Sequence, residues 1–249
     1  MGRQAKLAPM TRQTPADQPV GTLLTDWKPP ARPSDEPMTG RYCRLERLSS
    51  ARHAADLHAA NCRDADGRMW TYLPYGPFES QAAYAAWIDR DCTGADPLFF
   101  AIVDSATDKA TGVASYLRIE PAVGCIEVGH LAFSPLLQRS PAATEAMFLM
   151  MERIYDAGYR RYEWKCNALN EPSRAAAMRL GFSYEGLFRQ ATVAKGRNRD
   201  TAWYASIDRE WPALRAAFQT WLDPSNFDER GQQRVSLRKL TAPVLVRQG

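Results

Sequence analysis

Ile126-Glu127-Val128-Gly129-His130-Leu131-Ala132-Phe133 runs through Ser134-Pro135-Leu136-Leu137-Gln138 into Arg139-Ser140-Pro141-Ala142-Ala143-Thr144-Glu145-Ala146. An apolar-rich run, a tight loop and a long helical run follow one another, so a strand feeds a helix. The first amides of a helix lack internal partners and the helix dipole is positive there, which makes an anion site suited to a pyrophosphate. Ser140, Ala142 and Ala143 are small enough to let a phosphate approach the backbone. Any strand-to-helix turn offers as much, so this stretch settles local structure and leaves the ligand open.

The flanking segments extend the pattern. Upstream, Arg41 to Leu48 reads as a strand, and Ser50 caps a helix from Ala51 to Asn61. Asn61 to Pro77 reads as loop, and Ser80 opens a helix to about Asp91. Leu98 to Asp104, Gly112 to Ile119 and Cys125 to Phe133 read as three strands of an antiparallel meander. Downstream, Ala143 to Ala157 is a buried helix stopped by Gly158. Arg161 to Cys166 is a strand, and a helix starting at Asn170-Glu171-Pro172-Ser173 ends at Gly181. Tyr184 to Ala194 and Asp200 to Ile207 form a hairpin, and Trp211 to Trp221 is the last helix. Helices interrupting a mixed sheet place the chain among α+β or α/β folds.

Composition bounds the function. The chain has 249 residues, 45% hydrophobic and 24% charged, with a formal charge of +4. These are globular values, and so small a positive charge gives no footprint for nucleic acid. Five cysteines without a C-x-x-C pair, and only His53, His58 and His130, argue against zinc and disulfide scaffolds and for a reduced, cytoplasmic setting. No run reaches the roughly 20 apolar residues of a membrane span. The first 40 residues hold seven of the 17 prolines and read as an extended arm. Up to about Val20 this arm is expected to be disordered; Leu23, Leu24 and Trp27 are expected to lie on a neighbouring surface. The tail after Asp223 is charged and lacks a clear period.

A second stretch carries the function: Trp164-Lys165-Cys166-Asn167-Ala168-Leu169-Asn170-Glu171-Pro172-Ser173, then Gly181-Phe182 and Glu185-Gly186. With Gln138 and Ala143-Thr144-Glu145-Ala146 in the same order, the chain resembles the GNAT superfamily of acetyl-CoA-dependent N-acetyltransferases. Within it, the sequence is most similar to the ribosomal-protein-alanine acetyltransferases. Each motif is loose, but their ordered combination is specific, and the resemblance covers roughly Gly40 to Trp211.

The resemblance implies an α+β, GNAT-like fold with a mixed, mostly antiparallel central sheet. Two parallel strands splay apart within it, and helices flank it. It implies acetyl-CoA as co-substrate, no metal, and direct acetyl transfer to a primary amine, either a protein N-terminus or a small amine. The backbone of Leu131, Ala132 and Phe133 would pair with the pantetheine arm. Gln138, Arg139, Ser140, Ala142, Ala143 and Thr144 would form the pyrophosphate loop, and Asn170 would sit near the acetyl group. Ser173 would be the general acid that protonates the departing thiolate. Asn170 and Ser173 also suit helix capping, which is compatible with those roles.

Departures from the family pattern concern the loop and the base. Pro141 stands at a family glycine and removes one amide from the cradle. Arg139 replaces a frequent glycine and either pairs with phosphate or is solvated. Thr192 occupies the position of a family glutamate and cannot act as a base. Glu127 is the substitute, acting through a water, with Glu163 and His130 as rivals. Strict alternation places Glu127 and His130 on opposite faces of the sheet. Cys166 reads as a small buried residue rather than a nucleophile.

The expected organisation is an arm over residues 1–39, an acetyltransferase domain over 40–222 and a tail over 223–249. The expected partners are acetyl-CoA and an amine, with a homodimer compatible and neither nucleic acid nor membrane. A non-catalytic acyl-CoA-binding or interaction module on the same fold is the alternative, and consumption of acetyl-CoA separates the two.

Overall fold

A computed structural model describes residues 11–12 and 18–249. The expected disorder before Val20 falls largely on residues 1–10 and 13–17, outside the described residues. The short strands β1 (Thr11–Arg12) and β2 (Pro19–Val20) pair antiparallel. The other strands are β3 (Met38–Thr39), β4 (Cys43–Arg47), β5 (Leu98–Asp104), β6 (Lys109–Glu120), β7 (Cys125–Phe133), β8 (Arg161–Asn167), β9 (Ser183–Ala194) and β10 (Arg197–Ile207). They form one eight-stranded sheet in the order β3-β4-β5-β6-β7-β8-β10-β9. Only β7 and β8 run parallel; every other neighbouring pair is antiparallel.

Helices cover both faces. Under α1 (Ser50–Asn61) and α2 (Gln81–Asp91), Leu57, Trp87 and Ile88 pack on Phe99 and Val113. On the other face, α3 (Pro141–Asp156) and α5 (Trp211–Leu222) bring Phe148, Met151, Trp211 and Phe218 against Phe100, Tyr116 and Tyr162. The α3 helix is apolar nearly all round because sheet and α5 bury it from two sides. A short α4 (Glu171–Arg179) follows β8, and α6 (Leu237–Thr241) lies near the C-terminus. The start of α1 differs in detail from expectation. Ser49, not Ser50, precedes the helix, and its N–H donates to His53 Nδ1 at 3.1 Å.

One bulge shapes the centre of the sheet. In the β6–β7 register Gly129 faces Ser115 and Ala132 faces Val113, so His130 and Leu131 together oppose Ala114 alone. His130 takes a left-handed φ of 51°. An extra residue of this kind bends its strand and breaks alternation. The parallel β7–β8 register covers Cys125–Val128 against Arg161–Trp164. Past that point β7 follows β6 to Phe133 and β8 follows β10 to Asn167, and the two strands separate. The bulge also corrects the expectation that Glu127 and His130 lie on opposite faces. The His130 ring packs 4.9 Å from Phe99 and 5.7 Å from Tyr75, in the layer beneath α1 and α2, on the face that carries Glu127.

Glu145, from the Ala-Thr-Glu-Ala motif, does structural work. Its carboxylate accepts the backbone N–H groups of Arg41 (2.8 Å), Tyr42 (2.6 Å) and Cys43 (2.8 Å), gathering the start of β4 onto α3. A side chain at Gly40 would run into that carboxylate, so the close approach requires glycine.

The arm packs from Trp27 onward. Arg153 donates to the carbonyls of Ser34, Glu36 and Pro37, Tyr159 Oη donates to Ala31 O, and Trp27 lies under Arg160. Leu23 and Leu24, expected with Trp27 to lie on a neighbouring surface, are instead 67% and 47% exposed. The tail is also built in, beyond what its charge suggested. Leu237 and Thr241 are buried, Trp221 Nε1 donates to Gln233, and Tyr184 N donates to Arg247 O along the edge of β9.

Glu145→Ala leaves three amides without their charged acceptor, and should cost about 3 kcal/mol in urea unfolding; a change under about 0.5 kcal/mol would contradict this role. Burial, helped by Arg118, pulls the His130 pKa down to about 4. An unfolded histidine titrates near 6.5, so between about 6.5 and 4 only the unfolded chain binds the proton and stability falls as pH falls. His53 is lowered too, chiefly by burial, so His130→Phe should reduce that pH slope without abolishing it. An unchanged slope would contradict the assignment.

Candidate active site

Where β7 and β8 part, a cleft of about 290 Å³ opens. Gly129, His130 and Leu131 form one wall, and Lys165, Cys166 and Asn167 the other. Met69, Tyr72 and Leu73 from the α1–α2 connection roof it, and Arg199 of β10 closes the side. Two latches hold the roof. Tyr72 Oη donates to Leu169 O at 3.0 Å, and Lys195 Nζ donates to Trp70 O at 2.8 Å.

Ser173 and Asn170 both reach this cleft. Asn170 caps α4, its Oδ1 accepting the Ser173 N–H at 3.2 Å. Trp164 Nε1 donates to Ser173 Oγ at 3.0 Å. An indole N–H can only donate, so it occupies a lone pair of the hydroxyl and leaves the hydroxyl proton free for another acceptor. Burial pushes the pKa of the neighbouring Cys166 thiol up, while hydrogen bonding to Ser173 acts in the opposite direction. Burial wins, so the thiol stays protonated at neutral pH, which fits the small-residue reading of Cys166.

Glu127 enters the cleft from below within a chain of charges. Arg118 donates to both its oxygens, at 2.7 and 2.9 Å, and Lys165 Nζ lies 2.8 Å from Oε2. Lys165 also meets Glu163 at 2.7 Å and sits 3.8 Å from the Trp203 ring centroid. Arg161 then joins Glu163 to Glu185. Burial pushes the Glu163 carboxyl up, but Lys165 and Arg161 outweigh it and hold the pKa below its usual value. Three of the four lone-pair positions of Glu127 are engaged, leaving one on Oε1. Glu163 lies outside the cleft lining and His130 is wedged between Tyr75 and Phe99, so of the three base candidates Glu127 alone combines a carboxylate with access to the cleft.

The loop residues Gln138, Arg139, Ser140, Ala142, Ala143 and Thr144 lie outside this cleft, at the other end of the separated strand. Gln138 Nε2 folds back on Phe133 O at 2.8 Å. Arg139 adopts a φ of 60°, the conformation for which glycine is suited, which accounts for the family preference there. Ser140 Oγ donates to Leu137 O and accepts the Ala143 N–H at 3.1 Å, and Pro141 is the first helical residue. Of the first three helical residues, Ala142 therefore keeps an uncapped amide. Thr144 Oγ1 accepts from Arg179 and its side chain is buried, so any contact it offers a ligand is through backbone. Ala132 and Phe133 continue the separated edge of β7 beyond Leu131.

Sequence reasoning missed Trp164, Arg118, Lys165 and Arg199. The alternation of Glu163 and Lys165 on one strand, facing the same side, was the available signal for the charge chain. The Trp164–Ser173 bond joins a strand to a helix and carried none.

Comparison with known proteins agrees with the geometry. A curated Escherichia coli (strain K12) protein, ribosomal-protein-serine acetyltransferase, is 31% identical over 101 residues, 40% of this chain; the chain spans 56% of that relative's length. A GCN5-related N-acetyltransferase from Brucella melitensis has 46% identity and a TM-score of 0.86, covering 88% of this chain and 100% of that one. A probable GNAT-family acetyltransferase from Chromobacterium violaceum gives 37% and 0.72, covering 83% and 100%. The acetyltransferase (GNAT) domain family matches residues 43–183, which take in the splayed strands, the loop and Ser173, and the chain belongs to that family.

Proposed function

We propose that this chain is an N-acetyltransferase that moves the acetyl group of acetyl-CoA directly to a primary amine. The observation that carries the reading is the Ser173 hydroxyl, which lines the cleft and accepts from Trp164 Nε1. The name of the Escherichia coli relative, a ribosomal-protein-serine acetyltransferase, supports a protein acceptor over a small amine.

The residues present fit the co-substrate. The edge of β7 that β8 abandons offers backbone partners for an amide-bearing arm at Leu131, Ala132 and Phe133. Beyond it, the Ala142 amide, the α3 dipole and Arg139 would hold the phosphates, the charge of Arg139 replacing the amide that Pro141 lacks. Acetyl-CoA supplies a thioester at the cleft. Glu127 orders a water through its remaining lone pair and draws the proton from the attacking amine. Ser173 gives its proton to the departing sulfur, and Trp164 keeps the hydroxyl oriented for that transfer. Positioning and electrostatics supply most of the acceleration.

Incubation of the purified chain with acetyl-CoA and a panel of amines and amino-terminal peptides should release CoA thiol and give product heavier by one acetyl group. Binding of acetyl-CoA without consumption would assign the chain to the non-catalytic alternative. Ser173→Ala should lower kcat by about 10²-fold while acetyl-CoA still binds; an unchanged kcat would remove Ser173 from the acid role. Arg139→Ala keeps a Cβ in the same conformation and removes only the charge, so CoA binding should weaken more at low than at high ionic strength. Equal loss at both would mean that Arg139 acts by packing.

A further inference from the structure

We propose that Arg199 selects acceptors that carry a carboxylate or other anion close to the primary amine; this rests on the transferase reading above. The cleft lining holds three cations, Arg118, Lys165 and Arg199, against one carboxylate, Glu127. Two of the cations are spoken for: Arg118 by Glu127, and Lys165 by Glu127 and Glu163. Arg199 is different. Its Nε is buried without a hydrogen-bond partner, and among the described residues no carboxylate pairs with it. The adjacent Asp200 is turned away, its Oδ1 accepting from Gln190 N at 2.7 Å and Asn198 Nδ2 at 3.0 Å.

A buried guanidinium N–H without an acceptor is costly, and the cost is recovered when a ligand brings one. On the transferase reading the phosphates of the co-substrate belong at the α3 end, whose loop residues share no cleft lining with Arg199. The anion must come with the acceptor. Acceptors that bring further positive charge beside Arg199 are disfavoured by repulsion. Arg199 is held for this role by the hairpin tip, where Lys195 latches onto Trp70 O.

The required chemistry, an amine with a nearby anion, occurs in two sources: an amino-terminal peptide with an acidic second or third residue, and a free amino acid. The test measures kcat/KM for peptides starting Ser-Asp-Glu, Ser-Asn-Gln and Ser-Lys-Lys, otherwise identical, alongside glycine and glycinamide. The acidic peptide should exceed its amide isostere by about tenfold or more, as one charge-assisted bond allows. That preference should shrink toward unity in Arg199→Gln, return in part in Arg199→Lys, and decline with added salt. Glycine exceeding glycinamide, with no discrimination among peptides, would support the rule with a free amino acid as its source. Turnover of acidic and amide acceptors at equal kcat/KM in both pairs, or a preference untouched by Arg199→Gln, would overturn the proposal and leave the transferase reading intact. Bound acetyl-CoA with no acceptor consumed would overturn both.

Discussion

The separation of β7 from β8 after Val128 and Trp164 is the constraint on which the site depends. Two parallel strands in mid-sheet ordinarily satisfy each other's backbone along their whole length. Here each leaves with its outer neighbour, β7 with β6 and β8 with β10. The bulge at His130 bends β7 toward that parting, and the aromatic layer of Tyr75 and Phe99 holds the bulged residue in place. The price is a strip of unpaired backbone in the middle of the protein. Unpaired amides and carbonyls seek partners, so an extended, amide-bearing ligand is the natural occupant.

The chemical groups are arranged around that strip by several different elements. Trp164 on β8 orients Ser173 on α4. Arg118 on β6 and Lys165 on β8 grip Glu127 on β7, so the carboxylate is aimed before any substrate arrives. A loop from the first third of the chain roofs the cleft and is latched by the β8–α4 connection and by the last hairpin. Prepositioned donors and acceptors of this kind need little reorganisation during reaction. Removed partners leave buried charges uncompensated, so this network should resist piecemeal substitution.

Most of the frame was legible in the sequence. Cys125–Phe133 emerged as a strand with the observed bounds, because its apolar run is closed by turn residues on both sides. The α3 helix was recognisable by its length, and the order of motifs from Gln138 to Gly186 pointed to the family. What stayed hidden depends on contacts across the chain. One extra residue at His130 has no composition signal, yet it moves a side chain to the other face of the sheet. Glu145 read as part of a cofactor motif, while its carboxylate holds amides some hundred positions away. The tail looked like charged surface because its few apolar residues, Leu237 among them, are too widely spaced to show a period. Arg199 falls in the turn left between the two expected hairpin strands, and only the folded structure puts it beside the cleft.

Hydrogen exchange of the full chain with and without saturating acetyl-CoA tests the central claim most directly, since it reads the backbone of the separated strand itself. The account predicts slowed exchange in peptides spanning 129–133 and 138–144, with α1 and α2 little changed. Unaltered exchange in both segments at saturation would contradict the assignment of the parted strands as the seat of the co-substrate.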